Sequence, residues 1–258
     1  MTICLGVLSG EGIVIAADTQ ETTGDTKQDQ QKIFNYCYGV PHPGTSTPSP
    51  MMLLLTGAGD PGYLDAFFYL LSQDAGTCTN MQEFERYMAD ELMRFHQAHI
   101  FPIAVPGEPP TLVEVLAAVT CGWEMSLFVT QGSTVRKASV HTAIGAGRRF
   151  AQSLLSQHAW CKTLREAQLL AAYVIYETKS RELACGLHTS MSTLHNCSIS
   201  DVDGKREFIQ PSTPMECGFD QRILRKWEAS FEMMWKTRQK DLLSDLLSKE
   251  LADTEFFT

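Results

Sequence analysis

The sequence has no long apolar run, no excess of basic residues and no leader-like N-terminus, and each absence excludes a class of function. No apolar run approaches the roughly 20 residues that a membrane-spanning helix needs. The first residues lack a basic region followed by an apolar one, so no secretory signal is expected. The 30 acidic residues outnumber the 21 basic ones and give a formal net charge of −9, whereas binding to nucleic acid requires basic surface. We therefore expect a cytoplasmic protein with neither a membrane nor a nucleic-acid partner.

Signatures of cofactors, metals and disulfides are also missing. No P-loop or dinucleotide fingerprint occurs, and Gly57–Gly59 is too short to predict a phosphate site. The histidines and cysteines of Cys185–Cys197 do not have the ligand spacing of a structural zinc site. Eight cysteines lie scattered along the chain, at 4, 37, 78, 121, 161, 185, 197 and 217. This spacing favours buried, reduced thiols over a disulfide framework, and we expect no cofactor and no metal.

The order of apolar patterns indicates an α+β fold. Predicted strands alternate with helices in blocks, not one by one, and segregated blocks are typical of antiparallel sheets with helices packed on them. The predicted strands are Thr2–Leu8, Gly12–Ala17, Lys32–Val40, Met51–Leu55, Leu112–Cys121, Met125–Thr130, Thr134–Thr142, Ser192–Ser200 and Arg206–Gln210. The predicted helices are one after Gly62, Met81–Ala98 with Asn80 as N-cap, one from Gly147 to about Gln157, and Leu164–Thr178. Two antiparallel sheets covered on both outer faces by helix pairs would satisfy this order.

The chain divides into a core of residues 1–212 and an extension of residues 213–258. Four prolines between Pro41 and Pro50 exclude a regular element there and predict an inserted loop. From Phe219 to Leu251 apolar residues recur at helical spacing among charged ones, which predicts an amphipathic helix. That helix either docks on its own domain or contacts another subunit.

Turn geometry brings three reactive side chains to one end of one sheet. If the first hairpin turns at Gly10–Glu11, Thr2 faces residue 19 or its neighbour, so Asp18 lies beside it. The next loop turns near Asp25 and returns Lys32 towards Asp18. The positions of the two turns place Thr2, Asp18 and Lys32 close together but do not fix the directions of their side chains.

An N-terminal threonine combines a nucleophile and a base in one residue. Methionine is normally removed before a small residue, which would expose Thr2; its hydroxyl would attack, and its α-amine, with an ordinary pKa of about 7.7–8.0, would take the proton. Lys32 would lower the pKa of that amine, Asp18 would hold Lys32, and a backbone N–H in the glycine-rich turn at Gly57 would stabilise the oxyanion. Another interpretation stays open, because an N-terminal threonine is common and a Lys–Asp pair at strand ends is often a surface ion pair of little weight.

Several motifs, in order, carry a resemblance to a known family. Thr2–Gly6, Gly12–Asp18 and Lys32–Phe34 together resemble the opening of a proteasome β-type subunit, and Asp18–Thr26 is especially similar to the bacterial peptidase of the HslV type. Ser126–Thr130 and Ala143–Gln152 resemble that family's central strand and following helix. The resemblance extends from Thr2 to about Ser200.

This resemblance implies a four-layer α-β-β-α sandwich, the fold of N-terminal-nucleophile hydrolases. It further implies assembly into homo-oligomeric rings, hydrolysis of a peptide or unfolded-protein substrate, and an ATP-driven unfoldase as partner. Thr2 becomes the nucleophile, Lys32 the residue that tunes its amine, and Asp18 the partner of that lysine. Ser190 matches a supporting serine of the family.

Two positions depart from the family pattern. Ala146 stands where the family has a serine that helps to organise the threonine amine, and the usual supporting aspartate falls near Leu187 or His188. Three functions therefore remain: a threonine peptidase, a ring protein of the same fold with weak or absent catalysis, and an amidase for small amides.

Overall fold

The computed structural model of the chain describes residues 2–23, 26–40, 49–104, 113–122, 124–158, 160–196, 198–202, 205–209 and 215–237. The strands are β1 (Ile3–Leu8), β2 (Gly12–Asp18), β3 (Gln20–Thr23), β4 (Thr26–Asp29), β5 (Ile33–Val40), β6 (Ser49–Ala58), β7 (Glu114–Cys121), β8 (Glu124–Gln131), β9 (Thr134–Ala138), β10 (His141–Gly145), β11 (Thr189–His195), β12 (Ser198–Val202), β13 (Lys205–Ile209) and β14 (Met215–Cys217). The helices are α1 (Pro61–Asp74), α2 (Met81–Phe95), α3 (Arg148–Leu155), α4 (Leu164–Arg181) and α5 (Gln221–Thr237).

The strands form two five-stranded sheets and two separate hairpins. The first sheet has the order β10-β1-β2-β11-β14 and the second has the order β5-β6-β7-β8-β9. The hairpins are β3–β4 and β12–β13. Every pairing between these strands is antiparallel. The predicted α+β class with antiparallel sheets is therefore confirmed.

Alternation along the strands divides the buried side chains among three apolar clusters. Since successive residues of a strand point to opposite faces, each sheet contributes to two clusters. One cluster joins residues of both sheets, among them Cys4, Ile15, Met52 and Leu116. A second joins the first sheet to α3, α4 and α5, and a third joins the second sheet to α1 and α2. In the central strands such as β1, β2, β6 and β7, both faces are buried, and this fixes the register because a one-residue slip would exchange the two sets of side chains.

Capping residues set the starts of two helices where the sequence marks them. Asn80 accepts the backbone N–H of Glu83 at 2.9 Å, as predicted for the start of α2. Thr163 and Glu166 form a reciprocal capping box at the start of α4. After Phe95, α2 continues as a π-helical turn over His96–Ile100.

The described part of the C-terminal extension packs on its own chain. In α5, Trp227 and Phe231 are almost completely buried against α4. The Tyr173 and Phe231 rings lie 5.4 Å apart in an edge-on arrangement, and the guanidinium of Arg165 lies 4.5 Å from the centre of a Trp227 ring. Residues 238–258, which include the end of the predicted helix, lie outside the described residues.

Two segments that were predicted as single strands each form two strands in the structure, so these two predictions are wrong. Thr134–Thr142 is divided into β9 and β10, which belong to different sheets because the chain crosses between them at Ser139–Val140. Ser192–Ser200 is divided into β11 and β12, and among the described strands β12 pairs only with β13. The periodicity of apolar residues does not distinguish one continuous strand from two strands of different sheets, so these divisions were not predicted.

Some strands lie in segments whose polar composition did not predict them. Thr19–Gln31, interpreted as a polar connection, contains the β3–β4 hairpin, and Met215–Cys217 adds the short edge strand β14. Strand β6 already begins at Ser49, within the predicted proline-rich loop, whose residues 41–48 lie outside the described part of the chain. In the part that the structure describes, no helix has the length and apolar character needed to cross a membrane.

Candidate active site

The first hairpin places Thr2 beside Asp18, as the turn arithmetic predicts. β1 and β2 pair with Cys4 opposite Ala17, and Ser9 holds the turn by donating its hydroxyl to the Gly12 carbonyl at 2.9 Å. Extending this register one step puts Asp18 opposite Ile3 and next to Thr2. Thr2 is 6% exposed and Asp18 is completely buried. This end of the hairpin therefore lies where the sheet meets its neighbouring elements.

Asp18 accepts four hydrogen bonds and so remains satisfied without water. Its Oδ1 accepts the Thr2 hydroxyl, the Ile3 backbone N–H at 3.1 Å and the Lys32 ammonium at 3.0 Å. Its Oδ2 accepts the backbone N–H of Gly186 at 2.9 Å. A buried carboxylate is tolerated only when it is paired and hydrogen-bonded in this way.

The ammonium of Lys32 donates to three acceptors, one of which is the Thr2 hydroxyl. Its Nζ donates to the Thr2 hydroxyl oxygen, to Asp18 and to the backbone carbonyl of Gln20. Three acceptors match the three N–H groups of an ammonium. The β3–β4 hairpin pairs Gln20 with Asp29, so Lys32 returns one residue past the position that the sequence arithmetic gives. The hydroxyl of Thr2 thus lies between a cation and an anion.

The turn between β10 and α3 fixes the backbone of Thr2. Ala146 donates its N–H to the Thr2 carbonyl at 2.9 Å. Gly145 has φ +90°, and a Cβ there would lie 2.2 Å from the Thr2 carbonyl oxygen, so only glycine fits. Glu114 holds the turn in place, accepting the Gly145 N–H at 2.9 Å and the Arg148 guanidinium at 2.6 Å.

The contact of Glu114 with this turn was not predicted from the sequence. It begins β7 in the second sheet and reaches a turn 31 residues further along the chain. A glutamate at a strand start is ordinarily a solvated charge. Only the packing of the two sheets reveals this contact, and no local pattern in the sequence signals it.

Helix α5 supports the segment that holds Asp18. Glu228 of α5 accepts the Lys179 ammonium at 2.7 Å and the Thr189 hydroxyl at 2.9 Å. Lys179 also donates to Thr189 at 2.8 Å and to the carbonyl of Leu187 at 3.3 Å. Thr189 is the strand partner of Asp18, and Leu187 has φ +57°, a strained value for a leucine. These contacts fix the segment whose Gly186 N–H binds Asp18, and sequence reasoning missed them all.

Gly57 and Ser190 lie near the site but are not joined to it by hydrogen bonds of their own. Gly57 belongs to β6 and not to a turn, which corrects the expectation; its carbonyl accepts the Cys4 thiol at 3.4 Å. Ser190 pairs with Ala17 in β11 and is partly buried. Among the described residues, no hydrogen bond links the Ser190 hydroxyl to Thr2, Asp18 or Lys32.

An open cleft of about 570 Å³, counting the part that merges with solvent, lies against Thr2 and Lys32. Its other described lining residues come from β3, the start of β5 and the segment before it, the end of β6 and the residue that follows it, and one face of α1. They are Gln20, Glu21, Gln30, Gln31, Phe34, Gly57, Gly59, Pro61, Leu64, Asp65 and Phe68. An acyl group bound there would lie beside the Thr2 hydroxyl, and the Gly57 backbone would line the same space.

Neither a thiol nor a described metal cluster competes with Thr2 at this site. Burial raises the pKa of Cys4 to about 11 and that of Cys185 to about 12, so both remain protonated near neutral pH. Across the described ranges, no group of three or more His, Cys, Asp or Glu side chains is arranged to hold a metal ion.

Solved structures share this fold, whereas no protein-family model and no curated protein matches the sequence. Anbu from Hyphomicrobium sp. strain MC1 is 16% identical over 92% of this chain and 96% of its own, with a TM-score of 0.67. Anbu (ancestral beta-subunit) from Yersinia bercovieri is 13% identical over 91% and 95%, with a TM-score of 0.68. The Anbu complex from Pseudomonas aeruginosa, a helical assembly, is 16% identical over 91% and 96%, with a TM-score of 0.63. These likenesses show the proteasome-like fold of the Anbu proteins.

The assignment to the proteasome β-type or HslV-type family is therefore wrong, although the fold is closely related. The motifs that carried it, Thr2–Gly6, Gly12–Asp18 and Lys32–Phe34, form the hairpin and the returning strand at the site. These motifs therefore indicate the fold but do not identify the family.

Proposed function

We propose that the protein is a threonine peptidase in which Thr2, exposed by removal of Met1, is the nucleophile. The observation that carries this proposal is the position of the Thr2 hydroxyl, which contacts both the Lys32 ammonium and the Asp18 carboxylate beside an open cleft. A surface ion pair without function has no need of a buried carboxylate with four donors. Met1 itself lies outside the described residues.

In the proposed reaction, the Thr2 oxygen attacks the carbonyl carbon of a peptide bond and its proton passes to the free α-amine. The tetrahedral oxyanion takes a backbone N–H at Gly57 as donor, and collapse expels the amine product, which receives the proton. Water then attacks the Thr2 ester by the same route and releases the acid. Lys32 favours the deprotonated Thr2 oxygen through its positive charge, and Asp18 orients Lys32.

The supporting groups in this proposal differ from those that the family resemblance implies. Ser190 keeps a supporting role on the strand beside Asp18, while Glu114 and Glu228 replace the absent serine and aspartate by fixing the backbone that contacts Thr2 and Asp18. Preorganised groups of this kind reduce the reorganisation that the reaction requires.

We extend the proposal to the arrangement of layers and subunits. The three apolar clusters support a four-layer α-β-β-α order, with the inter-sheet cluster in the middle. The Anbu complex of P. aeruginosa is a helical assembly, which supports a homo-oligomer of this chain. If the oligomer closes into a ring and encloses the clefts, folded substrates would require an ATP-driven unfoldase, whereas peptides and unfolded proteins would enter directly.

Intact mass and covalent labelling test the proposal. The purified protein should lack Met1, and a threonine-directed inhibitor such as a peptide epoxyketone should add one inhibitor mass at Thr2. Thr2→Ala should abolish the adduct, and Thr2→Ser, which keeps a hydroxyl and is also trimmed of methionine, should retain it. Retained Met1 refutes the proposal because the amine would be an amide. A trimmed chain without an adduct would favour a ring scaffold, and turnover of small amides without turnover of peptides would favour an amidase.

A further inference from the structure

The cleft beside Thr2 has one wall made by a single helix face. Pro61, Leu64, Asp65 and Phe68 occupy the spacing i, i+3, i+4 and i+7 of α1, so they form one stripe along the helix. The stripe is apolar apart from Asp65, an exposed residue. One carboxylate therefore stands on an otherwise apolar wall.

The apolar part of the lining is aromatic and aliphatic. The rings of Phe34 and Phe68 lie 5.3 Å apart at 58°, and the side chain of Leu64 lies alongside. Such a surface binds methylene groups and not charge. The lining also includes the polar residues Glu21, Gln30 and Gln31.

The charges that line the cleft leave a negative excess. The one described cation in the lining, Lys32, is paired with the buried Asp18 at 3.0 Å. Glu21 and Asp65 line the same space, and neither forms an ion pair with a described basic side chain. A side chain bound in the cleft therefore contacts an apolar surface and lies near two carboxylates, those of Glu21 and Asp65, that no described cation neutralises.

On the basis of the proposed function, we propose that this cleft selects substrates with lysine or arginine on the acyl side of the cleaved bond. The stem of such a side chain packs on Phe34 and Phe68, and its cationic head reaches the carboxylates of Glu21 and Asp65. An acidic side chain in the same place would face two like charges, so the cleft also discriminates by repulsion.

A panel of peptides tests this inference. Four fluorogenic peptides, identical except for arginine, lysine, leucine or glutamate at the residue before the cleaved bond, are compared by kcat/KM. Four matching epoxyketones are compared by their rate of adduct formation at Thr2. Arginine and lysine should exceed leucine by about tenfold, equivalent to roughly 1.4 kcal/mol, and glutamate should be the slowest. Raising the salt from 0.05 to 0.5 M (about 14 to 4 Å in screening length) should reduce the preference.

Variants locate the preference. Asp65→Asn and Glu21→Gln should each reduce the arginine-to-leucine ratio about threefold, and the double variant should reduce it further. Asp65→Lys should raise the rate for glutamate relative to arginine, which a general loss of structure would not do. Asp74→Asn, which removes the same charge from the same helix outside the cleft, should leave the ratio unchanged.

The outcomes separate this inference from the proposed function. If Thr2 is labelled but all four probes react equally, or if Asp65→Asn and Glu21→Gln leave the ratio unchanged, the inference is overturned and the peptidase stands. If no probe labels Thr2, both are overturned.

Discussion

Replacing Gly145 by alanine tests whether the β10–α3 turn positions Thr2. At φ +90°, Gly145 lies beyond the region that side chains tolerate, and the new Cβ would lie 2.2 Å from the Thr2 carbonyl oxygen. The backbone conformation costs about 1–3 kcal/mol for a residue other than glycine. The overlap with a backbone atom costs about 1–3 kcal/mol more. We therefore expect a loss of about 2–6 kcal/mol, a large share of the roughly 5–15 kcal/mol that stabilises a typical domain.

Two other glycines separate these contributions. Gly132 has φ +57° with no described atom within 4 Å of its added Cβ, so Gly132→Ala should cost about 1 kcal/mol from conformation alone. Gly39 has neither a positive φ nor a neighbour within 4 Å among the described atoms, so Gly39→Ala should change stability by less than about 0.5 kcal/mol. The ranking of the three variants matters more than any single value.

The assay combines stability with reactivity. Urea unfolding followed by tryptophan fluorescence gives the stability ranking, and thermal shifts of roughly 2–4 °C per kcal/mol give an independent check. The rate of epoxyketone labelling, measured where each variant is still folded, reports the position of Thr2. Gly145→Ala should slow labelling by at least tenfold, while Gly132→Ala should not. If Gly145→Ala is no less stable than Gly132→Ala, or labels at the wild-type rate, the assigned contact with the Thr2 carbonyl is wrong.

Three further measurements follow from the structure. Glu228→Gln keeps the shape but removes the charge that holds Lys179, so kcat should fall with little change in KM, whereas an effect on KM alone would contradict a positioning role. Cys37 is the exposed member of the six described free cysteines, so a thiol reagent at pH 8 should modify it before the buried ones, and Cys37→Ser should remove that fast phase; a fast phase that persists would show another accessible thiol. Burial lowers the pKa of His141 and His158, so the unfolded chain binds more protons below about pH 6.5 and stability should fall as pH drops through that range. Urea midpoints at pH 7.5 and 5.5 should show this loss, and His158→Gln should reduce it.

The sequence predicts well what depends on one hairpin and poorly what depends on the packing of distant elements. The Thr2–Asp18 neighbourhood follows from a short turn and a strand register, both of which leave local signals at Ser9–Gly12. The helix start at Asn80 follows from a capping residue. In contrast, the sequence predicts β9 and β10 as one strand because both are extended. In the structure the chain crosses between the sheets there, and this crossing brings Gly145 to Thr2.

The charged residues around the site show the same limit. Glu114 and Glu228 are glutamates with no local feature that separates them from solvated ones, and each reaches its partner across a large sequence distance. The polar hairpin β3–β4 was missed for a related reason, since its side chains lack the apolar alternation that marks a strand.

Ala146 and the segment near Leu187 depart from the family pattern, and in the sequence these departures argue against catalysis. The structure weakens that argument. A serine at 146 would have used its hydroxyl, but Ala146 still holds Thr2 through its backbone N–H, which any residue except proline supplies. An aspartate near Leu187 would have used its carboxylate, but Gly186 binds Asp18 through its backbone, and Lys179 with Glu228 holds that segment. At both places, backbone groups that charged residues hold in position contact Thr2 and Asp18. We therefore expect the reactivity of Thr2 to be more sensitive to changes at Glu114 and Glu228 than to a change at residue 146.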